Sequence, residues 1–148
     1  MDLDEKDFQI IETLKSDAKL TTYEISKKLR IPVTTVHNRI KRLEEEGVIK
    51  GYSVVLDYPK IGKEILAHIL VSVNYALPSG SKMNQEEIAR KIRKLPDVEA
   101  VSIVTGETDM IVKVRVKNIT QLNSFILKKL RSLEGIDKVV TMIVLSDL

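Results

Sequence analysis

The chain has 148 residues, 43% of them hydrophobic and 30% charged, a composition that suits one mid-sized soluble domain or two small ones. It has no cysteine, so disulfides, thiolate nucleophiles and cysteine-based metal sites are excluded, and two histidines fall short of a metal cluster. The formal net charge is only +3, too small to announce a polyanionic partner unless the charges are unevenly spread along the chain.

The N-terminal MDLDEKD is acidic rather than a signal core, and no run has the length and apolarity of a membrane span. A cytoplasmic, non-membrane protein is expected. LDEKDFQIIETL then sets Leu3, Ile10, Ile11 and Leu14 at helical spacing, with Asp4 as N-cap, and predicts a helix from about Asp4 to Ser16. In LTTYEISKKL, Thr21 and Glu24 form a capping box, and Leu20 and Ile25 a hydrophobic staple, so a second helix starts near Thr22. It is short, because Pro32 disfavours helical geometry at Ile31. A third helix is predicted from about Val33 to Glu46, just before Gly47.

Charge is uneven across these helices. Residues 1–26 hold three lysines against seven acids, while residues 27–42 hold Lys27, Lys28, Arg30, Arg39, Lys41 and Arg42 with no acid. On the third helix Val33, Val36, Ile40 and Leu43 make one apolar stripe, and Asn38 points away from it. Thr34, Thr35, Lys41 and Arg42 lie within about 60° of Asn38, with His37 and Arg39 on the flanks. Such groups bond phosphate oxygens and base edges, and a helix fits the major groove. A glycine stop and a strand-like segment follow in GVIKGYSVVL, which completes a winged helix-turn-helix over residues 1–51. The candidates for contact with double-stranded DNA are Tyr23, Thr34, Thr35, His37, Asn38, Arg39, Lys41 and Arg42.

Residues 52–63, YSVVLDYPKIGK, read as a short strand running into a Pro and Gly hinge that links to a second domain over 64–148. There a strand is expected from Ile65 to Tyr75, and a helix with the box Asn84 to Glu87 and the staple Met83 to Ile88, ending before Pro96. Another strand, Met110 to Val116, turns Met110, Val112, Val114 and Val116 to one face and Lys113 and Arg115 to the other. A last helix is expected from about Ile119 to Ser132, with Gly135 behind it. LPDVEAV at 95–101 and LEGIDKV at 133–139 repeat weakly, each leading from helix to strand. The order β, α, β, β, α, β is the ferredoxin-like arrangement, so the fold class is α+β. Helices cover one face of such a sheet, and the other, largely apolar at alternate positions, argues for self-association. TGETD, at 105–109, joins two strands; Gly106 permits a tight turn with N–H groups open to an anion, and Asp109 suits an amino group. A plain hairpin explains the same residues.

DEKDFQIIETLKSDAKLTTYEISKKL, TTVHNRIKRLEEEGVIKGY and TGETD, in this order and spacing, are similar to the leucine-responsive regulatory protein (Lrp/AsnC) family of bacterial and archaeal transcription regulators. The resemblance spans essentially the whole chain. Pro32 departs from it, since members often begin the recognition helix with a serine cap. The resemblance implies a DNA-binding regulator, homodimeric and often octameric, with an amino-acid effector pocket between subunits formed here by Gly106, Glu107, Asp109 and Thr141. No cofactor, no metal and no enzyme activity are expected. Two further readings stand behind it: an architectural protein that coats DNA without an effector, and an enzyme similar to the sirohaem decarboxylases, which resemble the same two-domain fold. An archaeal source is expected, and the Lys and Glu content without Cys or Trp leans thermophilic.

Overall fold

The computed structural model describes residues 2–74 and 84–146 of the chain, which divides into two units, Met1–Leu56 and Asp57–Leu148. In the first, α1 (Glu5–Ser16), α2 (Thr22–Leu29) and α3 (Val33–Glu45) surround Ile10, Ile25, Ile31, Val36 and Leu43. Caps define where these helices start. The Asp4 carboxylate accepts from the Asp7 N–H at 3.0 Å, and Asp7 accepts in return from the Asp4 N–H at 3.1 Å. Thr21 and Glu24 close the same reciprocal pair on α2 at 3.2 and 2.7 Å. Leu20 packs against the core cluster that contains Ile25, the place a staple would put it.

The turn between α2 and α3 is set by Arg30, left-handed at φ 56, and by the Ser26 hydroxyl, which donates to the Ile31 carbonyl at 2.6 Å. Pro32 occupies the N-cap of α3 without a side-chain bond. Two expectations need correction here. Val33 is 39% exposed and stands outside the core, although it is in phase with the buried Val36 and Leu43. The segment from Tyr52 to Asp57 is not a strand: it has no ladder partner among the described residues, and Val54 and Val55 face solvent.

The second unit runs β1 (Ile65–Val73), α4 (Gln85–Arg93), β2 (Val98–Ile103), β3 (Met110–Val116), α5 (Ile119–Ser124) and β4 (Ile136–Ile143). The sheet order is β2-β3-β1-β4 with every neighbouring pair antiparallel, the ferredoxin-like topology expected. The ends expected at Tyr75 and the staple residue Met83 lie outside the described residues. Asn84 caps α4 through the N–H of Glu86 at 2.9 Å rather than through Glu87. The last helix also differs from expectation: past Ser124 it widens into a π turn, Phe125–Leu130, closed by the Arg131 N–H on the Ile126 carbonyl at 2.9 Å. The wider turn brings Phe125 and Leu130, five residues apart, into the same core, which regular α geometry would not.

The weak repeat has a structural counterpart. Asp97 and Gly135 occupy equivalent places, both left-handed at φ 71 and 91, and their carbonyls accept from Arg115 and Asn74 at 3.0 and 2.9 Å. Below the helices, Ile69, Val71, Val112 and Val114 are fully buried. The register gives the opposite face Leu70 beside Val140 and His68 between Lys113 and Met142. Val140 and Met142 are exposed there. Arg115, on that face, is nonetheless buried, stacked 3.7 Å from the Tyr58 ring and bonded to Glu99 at 2.8 Å. Burial alone would raise the Glu99 carboxyl, but Arg115 and Lys113 hold it below its ordinary range.

Candidate nucleic-acid interface and effector region

The outer face of α3 carries no apolar cover after its first turn. Thr34, His37, Asn38 and Lys41 are exposed and Thr35 is half-buried, so the hydroxyl, amide and ammonium groups expected to meet DNA reach solvent together. Among the described residues, Lys41 has only a loose ion pair, 3.7 Å from Glu45, worth little in water. Tyr23 stands exposed on α2 with Lys27 Nζ 4.5 Å above its ring, a phenol and an ammonium side by side on the helix that precedes the turn.

Arg39 and Arg42 are placed differently. Arg39 Nη1 lies 2.7 Å from Asp4 and 2.8 Å from Asp7, and Arg42 Nη2 lies 2.6 Å from the second oxygen of Asp7. The expectation that Arg39 simply flanks the outer face is therefore corrected: its guanidinium turns in to α1. Asp7, then Asp4, raise the Arg39 pKa, and the N–H of Asp7, with Arg39, lowers that of Asp4. Asp4, Asp7 and Lys27 were missed as members of this surface. A signal existed for Asp7: at three and seven residues before Ile10 and Leu14 it lies in phase with the apolar stripe of α1, where an acid needs a cationic partner.

In the second unit the TGETD turn leaves β2 and enters β3. Gly106 adopts φ 125, a region that favours glycine, and with Glu107 it is exposed. Asp109 accepts from the Val73 N–H at 2.8 Å and from the Gln85 side chain at 3.0 Å, and the Thr108 hydroxyl donates to the Val71 carbonyl at 3.0 Å. Its carboxylate thus ties the turn to the end of β1 and the start of α4. Thr141 is elsewhere: it pairs with Ile69 on the other side of β1 and lines a shallow groove of about 370 Å³ with Ile119, Thr120, Asn123 and Ile126. One chain does not bring Thr141 and the TGETD turn together. The described residues include no cluster of His, Cys, Asp and Glu fit for a metal ion, and no helix long and apolar enough to cross a membrane.

Comparison with known proteins adds the following. Residues 3–50 match the winged helix-turn-helix DNA-binding family, and residues 69–148 match the Lrp/AsnC ligand binding domain. The HTH-type transcriptional regulator FL11 of Pyrococcus furiosus is 43% identical over 143 residues, which cover 97% of this chain and 89% of that protein. Among solved structures, the transcriptional regulator NMB0573 of Neisseria meningitidis in complex with L-Met superposes with a TM-score of 0.89 at 26% identity, over 99% of this chain and 92% of that one. LrpC of Bacillus subtilis gives 0.84 at 26% identity, over 100% and 98% of the two chains.

Proposed function

We propose, on the premise that this chain belongs to the Lrp/AsnC family of transcriptional regulators, that it recognises specific DNA half-sites through α3 and is modulated by an amino acid or a related small metabolite. The observation that carries the reading is the exposed set Thr34, His37, Asn38 and Lys41, polar throughout and free of acids, on the second helix of a helix-turn-helix. Thr34, Thr35 and Asn38 serve base edges, while Lys41, Tyr23 and the arginines serve phosphates. The two-domain plan with a ligand-binding family match supports an effector, and the L-Met bound to the Neisseria regulator suggests its class.

Self-association belongs to the same reading. The sheet face bearing Leu70, Val140 and Met142 calls for a cover, and a second copy supplies one of matching shape through a two-fold axis. The separation of Thr141 from Gly106, Glu107 and Asp109 within one chain supports a pocket shared between copies, with residues from each. A dimer follows from this reading; assembly of dimers up to an octamer is what the family resemblance implies.

The test is footprinting on the promoter region of the protein's own gene, at two salt concentrations, with and without single amino acids. Discrete protected half-sites, a log–log salt slope of about −0.9 per phosphate contacted, and a footprint altered by one amino acid are expected. Continuous protection that grows with protein concentration would instead mark a coating protein, and an affinity indifferent to salt would remove the DNA reading. Sedimentation of the same protein distinguishes monomer, dimer and octamer.

A further inference from the structure

Asp7 is buried at the start of α1, and the charge that neutralises it comes entirely from α3. One carboxylate oxygen takes Arg39 Nη1 and the other takes Arg42 Nη2. Among the described residues, Arg42 Nε is the one buried side-chain polar atom without a partner, and Asp4 and Asp7 are the only hydrogen-bond acceptors of the two guanidiniums. Arg39 Nη2 and Arg42 Nη1 therefore stay in contact with water. Each arginine commits one arm of its fork to a carboxylate and presents the other.

A guanidinium held at one nitrogen has little rotamer freedom left to lose when a second nitrogen meets a phosphate oxygen. Asp4 and Asp7 differ in how firmly they hold. The Asp7 side chain is 1% exposed and locked between both arginines, whereas that of Asp4 is 53% exposed and shares Arg39 alone. An exposed ion pair yields to a competing anion; a buried one does not.

We propose that Asp7 is a positioning residue for DNA binding, which holds Arg39 and Arg42 as a paired phosphate clamp on α3 while Asp4 competes with the phosphate for Arg39. This rests on the reading that α3 meets DNA and adds the residues of α1 that set the clamp.

Asp4→Asn and Asp7→Asn each remove one negative charge beside the same arginine. Both spare the helix start, since asparagine caps as well as aspartate and Asn at position 7 still accepts from the Asp4 N–H. General electrostatics tightens DNA binding equally in the two variants. The clamp demands opposite signs. In full-length protein titrated onto its own promoter duplex by fluorescence anisotropy, Asp4→Asn should tighten binding about threefold. Asp7→Asn should weaken it about tenfold or more, and flatten the salt slope by about 0.9 for each phosphate released. Equal tightening in both, or no change in either, overturns the proposal. Asn38→Ala and Lys41→Ala run alongside: if these too leave binding unchanged, the reading of α3 has failed, whereas losses there with unmoved aspartate variants remove the clamp alone. Should Asp7→Asn prove unfolded by circular dichroism, Arg42→Lys is read in its place. It keeps the charge but has no second arm for a phosphate, so affinity and slope should both drop, and wild-type values overturn the clamp.

Discussion

Among the described residues of the first unit five buried apolar side chains meet between three short helices; among those of the second, fourteen do, most of them on a four-stranded sheet. The sheet orders its own strands through backbone ladders, so helices laid upon it inherit a fixed platform. Three helices have no such ladder between them. Their mutual angles depend on element ends, namely the Asp4 and Thr21 caps, the Arg30 turn, and the two arginines that α3 sends to Asp7. The contrast teaches that the unit whose outer face matters is oriented by polar contacts of its helices, and the other by backbone ladders and the apolar area laid on them.

The contrast breaks most sharply at the two centres. Phe125→Ala should cost about 3–5 kcal/mol in the second unit by cavity formation, and hydrogen exchange should show β1 and β3 amides losing protection while α1 to α3 amides keep theirs. Asp7→Ala should act the other way round. It strands the Arg42 guanidinium, leaves Arg39 with Asp4 alone and removes one member of a capping box, costing about 2 kcal/mol after allowance for the partial exposure of the arginines, with exchange accelerated in α1 and α3 only. Uniform loss across both units in either variant would contradict independent means of support.

Smaller changes sharpen the point. Thr21→Ala should cost about 1 kcal/mol, read as a lowered urea midpoint at unchanged slope, by freeing the Glu24 N–H at the start of α2. Arg30→Gly should stabilise the first unit by up to about 1 kcal/mol, because glycine relieves the left-handed backbone at φ 56. A lower melting temperature in that variant would mean that Arg30 does more than turn the chain.

Two groups, one in each unit, lose their contributions at opposite pH edges. Partial burial, and then the Tyr52 hydroxyl's bond to Glu44, push the Tyr52 phenol up from 10.0 to about 12. The unfolded chain ionises this group first, so its contribution is intact below pH 10 and is lost as pH rises toward 12. Glu99 is shifted the opposite way from its ordinary 4.5, so its contribution is present above that value and is lost as pH falls below it. Melting curves of Tyr52→Phe should therefore be flatter than wild type on the alkaline side, and those of Glu99→Gln flatter on the acid side. Curves parallel to wild type in both would remove these two groups from the account.

Much of this organisation is already written in local residue patterns. Capping boxes, the Pro32 break, the alternation in Met110 to Val116 and the acid-free run over 27–42 depend on neighbours a few residues apart, so helix starts, strand faces and the outer face of α3 could be read one residue at a time. Where a partner lies far along the chain, the same reading stops. Arg39 and Arg42 look outward by periodicity, yet buried Asp7, more than thirty residues earlier, claims one arm of each, because an acid on an apolar stripe must be neutralised by whatever the fold brings to it. Phe125 and Leu130 share a core because the helix widens into a π turn there, which local residue patterns did not announce. Likewise Tyr52 to Asp57 has strand composition without a strand, and Thr141 stands a strand away from Asp109. The sequence by itself determined most of the elements and caps and the chemistry of their faces, since these follow from short-range geometry; which distant charges meet, and which residues share a site, was decided by tertiary packing.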